Sequence, residues 1–87
     1  MMLSPPHPHP VHSRGQIQFT LSARQVVTLS VYDVTGRKVA SLEDRAMMSA
    51  GRHELEVDVR GWRSGVYYYR LIAGAENATR KMIVVND

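Results

Sequence analysis

The chain has 87 residues, a formal charge of +3 and no cysteine. That length fits one domain with one thin core, and the missing thiols exclude disulfides and cysteine-ligated zinc or iron–sulfur sites. Arginine supplies most of the positive charge, because Lys38 and Lys81 are the only lysines, and the arginines are scattered, several beside acids as in Glu43-Asp44-Arg45. A nucleic-acid surface needs clustered basic side chains interleaved with stacking aromatics, so that class is set aside.

Met1-Met2-Leu3 opens the chain without the basic and apolar regions of a signal peptide. No apolar run reaches the ~20 residues of a membrane-spanning helix. Any export signal is therefore expected elsewhere in a longer polypeptide. Residues 1–15 read as a proline-rich extended lead-in or linker, since Pro5, Pro6, Pro8 and Pro10 are all the prolines of the chain. Proline fixes φ and removes an amide donor, which favours polyproline II geometry. Weak packing is expected over residues 1–12.

Residues 16–87 read as the folded domain, where the dominant period is two. Ile17, Phe19 and Leu21 alternate with polar neighbours, as do Val27, Leu29 and Val31, then Leu55 and Val57, then Tyr67, Tyr69 and Leu71. These are strands with one face in a core and one in water. Lys38 to Leu42 is a less regular strand and Ala46 to Met48 a further short one, while Thr79 to Val85 is apolar on both faces near its end. Gly36, Gly51, Gly65 and Gly74 mark the corners, with Asp33 placed to hydrogen-bond into the bend before Gly36. Six to seven short strands at this spacing predict an all-β fold, a small antiparallel Ig-like β-sandwich, because a single sheet would leave one apolar face in water.

Candidate chemistries each meet a simpler explanation. His7, His9 and His12 are metal-ligand types, but the proline-rich segment carrying them offers no closed scaffold, so no metal is assigned. Tyr67, Tyr68 and Tyr69 suggest a sugar platform, yet strand alternation sends Tyr68 to the opposite face from the other two. Trp62 is expected as a plug over the open end of the sandwich. Glu54, Glu56 and Asp58 share one solvent face, Ser64-Gly65 is a turn and His53 has no nucleophile beside it. No catalytic residue, cofactor or enzymatic activity is assigned.

The order of the blocks carries a resemblance. Leu29-Ser30-Val31-Tyr32-Asp33 leads into Val34-Thr35-Gly36-Arg37, then Lys38-Val39-Ala40, then Ala50-Gly51-Arg52-His53 and an acid-bearing strand ending at Asp58. Ser64-Gly65-Val66-Tyr67-Tyr68-Tyr69-Arg70-Leu71 follows, and the chain closes on Arg80-Lys81-Met82-Ile83-Val84-Val85. Over about residues 16–86 this resembles the C-terminal sorting domains of type IX secretion and the similar Ig-like domain of flagellar hook-capping proteins. Two blocks depart from the family's pattern. Pro8-His9-Pro10-Val11 stands where Pro-Asn-Pro is usual, and Val57-Asp58 where tryptophan-aspartate is frequent.

The resemblance implies a non-catalytic domain that directs an upstream cargo through the outer membrane to the cell surface, passing transiently through the periplasm. The implied partners are the outer-membrane translocon, a surface-processing peptidase and the cargo, with no nucleic acid, membrane span or cofactor. Asp33, Gly36, Arg37, Gly51, Gly65, Tyr67 and Leu71 match the family's structural motif. Recognition is placed on Arg80, Lys81, Met82, Ile83, Val84 and Val85, where the resemblance is densest. A structural module of the hook-capping type and an adhesion or carbohydrate-binding appendage stand as alternatives.

Overall fold

The structure, a computed structural model, describes residues 1–86, which form eight strands and no helix. The strands are β1 (Met2–Leu3), β2 (His7–His12), β3 (Arg14–Leu21), β4 (Gln25–Asp33), β5 (Lys38–Met48), β6 (Gly51–Asp58), β7 (Gly65–Ala73) and β8 (Glu76–Val84). They build two antiparallel sheets face to face. In the main sheet the order is β5-β4-β7-β8. In the N-terminal sheet β3 is central, with β6 along one edge and β1 and β2 following one another along the other. The fold class expected from the period-two pattern is the one observed.

Alternation explains which residues meet between the sheets. Ile17, Phe19 and Leu21 of β3 face Val27, Leu29 and Val31 of β4 and Tyr67, Tyr69 and Leu71 of β7, all of them buried. Met82 and Val84 of β8 complete the core. Leu55, expected among the fully buried residues, is only half-buried against this core. It lies on β6, an edge strand with β3 on one side alone, so its inward side chain is covered on fewer sides. Ser30 is buried although it has outward parity. Its small side chain sits mid-sheet between Ser41 of β5 and the long Arg70 of β7.

The irregular stretch after Lys38 is one strand and not two. β5 shifts register against β4 at three places, and Arg45 adopts a φ of 50°. The Arg45 N–H donates to Thr28 Oγ1 at 3.1 Å. Such bulges insert residues that oppose no partner, which erases the two-residue period.

The expectation of weak packing over residues 1–12 is corrected. Leu3, Pro6 and Val11 are buried. Met2 and Leu3 pair with Thr20 and Phe19, and His7 and His12 pair with Gln16 and Arg14. Proline-rich chain can be held this way because the neighbouring strand supplies the apolar cover that the segment lacks. Val11 also reaches the main sheet, as a parallel partner of Val84, and its carbonyl accepts from the Val85 N–H at 3.0 Å. Gly15 permits this close approach, since a Cβ there would lie 2.9 Å from Val11 Cγ1. The Tyr69 hydroxyl adds a bond across the sheets by donating to the Ser4 carbonyl.

Truncation should register this integration. Leu3→Ala and Leu29→Ala are each expected to lower unfolding free energy by about 2–5 kcal/mol. Exposed Thr20→Ala should stay within about 0.5 kcal/mol. Urea denaturation checks both, and a Leu3→Ala loss no larger than that of Thr20→Ala would contradict the docked N-terminal segment.

Candidate functional site

β8 leaves the two-residue turn Gly74-Ala75 and pairs with β7 from Glu76 opposite Ala73 to Val84 opposite Gly65. Met82 and Val84 are fully buried, Ile83 and Val85 half-buried, and Lys81 exposed. Arg80 has the inward parity of Met82, and its Nε crosses to the N-terminal sheet to donate to the Leu3 carbonyl. The six residues therefore divide. Met82 and Val84 anchor the strand, Arg80 ties it to β1, and Lys81 projects from the outer face. Among the described residues Lys81 has no carboxylate in ion-pair range.

The backbone of β8 offers a second feature. Since the Val85 N–H turns outward to Val11, odd-numbered amides of this strand point away from β7, as an antiparallel ladder requires. Asn77, Thr79 and Lys81 thus aim N–H and C=O groups outward. Among the described residues no strand pairs with them, because the only outer partner of β8 is Val11 at its far end.

Blocks distant in sequence meet beside the end of β8. Asp33 closes the β4–β5 turn: its Oδ1 accepts from the Thr35 N–H at 2.9 Å, the Thr35 hydroxyl, and the Arg37 N–H at 3.1 Å. Gly36 sits at φ 87°, in the left-handed region that disfavours other residues. Gly65 opens β7 opposite Val84, and the Tyr67 hydroxyl donates to the Arg63 carbonyl at 2.8 Å. Trp62, half-buried against the core, packs on the Tyr67 ring with centroids 5.0 Å apart. Between these turns lies an open cleft of about 600 Å³, bordered by Asp33, Arg37, Trp62 and Arg63. Gly51 stands at the opposite end of the sandwich, across from Leu21, and Leu71 lies buried mid-strand in β7. His53 is stacked on Phe19 at 5.3 Å with its Nε2 2.7 Å from the Ser49 carbonyl oxygen.

The clamp that holds this end together has no signature in the sequence. Asn86 Nδ2 donates to the Val59 and Trp62 carbonyls, both at 2.8 Å. Its backbone N–H donates to Ser64 Oγ at 2.7 Å. Ser64 beside Gly65 signals only a turn, and a lone asparagine after an apolar strand carries no periodic signal.

Hydrogen bonding governs the titrating groups. The Thr35 hydroxyl, then the amides of Arg37 and Thr35, hold the Asp33 carboxyl below its usual range. The Arg60 guanidinium bonded to Asp58, reinforced by the Arg60 amide, brings the Asp58 carboxyl down to about 2. Burial pushes the Tyr69 phenol up to about 12, against the opposing pull of the Arg80 cation.

These features define a class: a small antiparallel β-sandwich whose last strand is anchored by its apolar side chains and offers an unpaired outer edge. Residues 7–85 match the family described as the secretion system C-terminal sorting domain, and the chain belongs to that family. The domain is a sorting signal of type IX secretion, which marks proteins for the cell surface or for release and works with the type IX machinery and a cargo. The family is a secretion signal and not a catalytic one. No helix among the described residues is long and apolar enough to cross a membrane. No curated protein matches the chain.

The carboxylates set the acid response. Asp58 titrates lower in the folded state than the roughly 3.9 of an unfolded aspartate, so its stabilising effect is present above about pH 4 and is lost as pH falls toward 2. Asp58→Asn is expected to flatten the melting temperature over that window by lowering it at neutral pH, modestly because the pair is exposed, and by leaving it close to the parent's near pH 2. Thermal melts across the window decide this. An unchanged acid slope in Asp58→Asn would contradict it.

Proposed function

We propose that the domain is the non-catalytic address of a secreted cargo and that the outer-membrane translocon reads it along β8. One observation carries this reading: the outer amides of Asn77, Thr79 and Lys81 lie unpaired on a strand that Met82 and Val84 hold in the core. An exposed edge of this kind accepts an added strand, with main-chain hydrogen bonds giving affinity and flanking side chains giving selectivity. In that arrangement the apolar residues of Arg80–Val85 keep the edge straight and in register, and Lys81 is the side chain a receptor meets. Arg80 acts through the fold, by its bond to Leu3.

Residues 1–15 serve as the extended lead-in from the cargo, with β1 and β2 carrying the junction onto the sandwich. A surface-processing peptidase separates cargo from domain after delivery. Asp33, Gly36, Arg37, Gly65 and Tyr67 shape the end of the sandwich next to β8, and Gly51 and Leu71 serve the fold away from that edge.

The reading is tested with a reporter fused ahead of this domain in a bacterium that has type IX secretion. Thr79→Pro deletes an outward N–H and spares the ladder to β7, a placement that edge strands tolerate. The parent fusion should reach the cell surface. Thr79→Pro should keep its circular dichroism spectrum and cooperative melt, yet lose delivery by about tenfold, equivalent to roughly 1.4 kcal/mol of recognition. Full delivery of a folded Thr79→Pro fusion would rule out recognition along this edge.

A further inference from the structure

The two outer faces of the sandwich differ in how they handle charge. On the N-terminal sheet each acid meets a base: Arg14 lies 3.8 Å from Glu56, Arg52 lies 3.7 Å from Glu54, and Arg60 lies 2.6 Å from Asp58. Gln18 bridges Arg52 and Glu54 through both ends of its amide. That face is neutralised within the chain, as an ordinary solvated surface is.

The outer face built by β4, β7 and β8 of the main sheet has no such balance. Every outward position of β4, β7 and β8 is apolar, neutral polar or cationic; the acids of these strands, Asp33 and Glu76, pair opposite inward Tyr67 and Ala73. The acids of the edge strand β5, Glu43 and Asp44, lie in its bulged stretch, where Asp44 is 3.8 Å from Arg45. One row across all four strands reads Lys38–Tyr32–Tyr68–Lys81. In the next row Arg70 lies between Ser30 and Thr79. Tyr68 is 40% exposed and Ile72 37% exposed on the same face. Among the described residues neither the two lysines nor Arg70 has a carboxylate within ion-pair distance.

We propose that this face is a docking surface for a protein partner, and that the partner presents an acidic patch with an apolar or aromatic centre. Three unpaired cations around the exposed Tyr68 ring and the half-buried Tyr32 leave a positive field that an outside anion can complement, and such fields steer encounter and fix orientation. Tyrosine and arginine are the side chains enriched where interfaces concentrate binding energy. An anionic lipid surface is the poorer match. Three cations give about 1 kcal/mol each toward it, and the exposed Thr79 and Asn77 on this face gain nothing from an acyl layer. Because the domain is a sorting signal, the inference rests on that reading for where the partner is met, in the secretion machinery. It deepens the edge recognition proposed for β8 by adding a face to the edge, with Lys81 common to both.

The test replaces Tyr68, in the cargo fusion, with a benzophenone-bearing phenylalanine that cross-links on illumination in type IX-secreting cells. The same probe at Gln18 reports the other face. The Tyr68 position should yield a protein adduct whose cross-linked peptide is rich in Asp and Glu, and the Gln18 position should not. Arg70→Glu with Lys81→Glu should cut the adduct about tenfold with the melt unchanged, and Arg70→Gln with Lys81→Gln should give a smaller loss. Adducts to lipid alone, equal adducts from both faces, no adduct at all, or a yield indifferent to charge reversal in folded protein would each overturn the docking face. Failure of the parent fusion to reach the surface would count instead against the sorting reading.

Discussion

Everything in this domain depends on how two sheets are joined without a covalent cross-link. Val11 makes that joint. It is fully buried, packs on Gly15 of β3 and pairs with Val84 of β8, so one residue belongs to both sheets. The Leu3 carbonyl, bonded by Arg80, and the Ser4 carbonyl, bonded by Tyr69, extend the joint along the same side. A core this thin gains from each connection, because small chains bury a modest share of their surface. The N-terminal segment thereby ties the two sheets together along the β8 side, pairing with that strand only at Val84.

That joint links fold to sorting. Closing the side of the sandwich at Val84 fixes the C-terminal end of β8, while the edge from Asn77 to Lys81 keeps its outward amides unpaired. The strand is rigid where its apolar side chains enter the core and available where its backbone faces out. The Asn86 clamp onto Val59 and Trp62 holds the adjoining loop against the same end. A receptor therefore meets a preformed edge, with little ordering left to be done on binding. The opposite, β5 edge of the main sheet is broken by bulges and by the left-handed Arg45, devices that discourage strand addition. Of the two edges of that sheet, β8 is the straighter.

The sequence makes most of the sandwich legible and conceals its closure for definable reasons. Strands β3, β4, β6 and β7 alternate cleanly because each has one face in the core and one in water, so Ile17, Val27, Val57 and Tyr69 could be assigned from periodicity. β5 could not be read as one strand, since its bulges put extra residues between the paired ones. β1 and β2 show no alternation, and their prolines point to a free linker. The burial of Val11 depends on Gly15 and Val84, one four residues away and the other at the far end of the chain, and no local window contains that information. The candidate site was legible as an ordered set of motif blocks. The split of Arg80 from Lys81, one committed to Leu3 and one free, needed the three-dimensional register.

The central claim is that the folded sandwich, and not the terminal sequence as a linear tag, is what the secretion machinery reads. It is tested most directly by unfolding the domain from a site remote from β8. Phe19→Ala, in the core of the N-terminal sheet, removes a buried ring at a cost of about 3–5 kcal/mol and leaves Arg80 to Asp87 unchanged in sequence. Surface delivery of the cargo fusion, measured together with the folded fraction of the domain, is the decisive quantity. The account predicts that delivery falls in proportion to the folded fraction. Undiminished delivery from a domain that has lost its cooperative melt would contradict it.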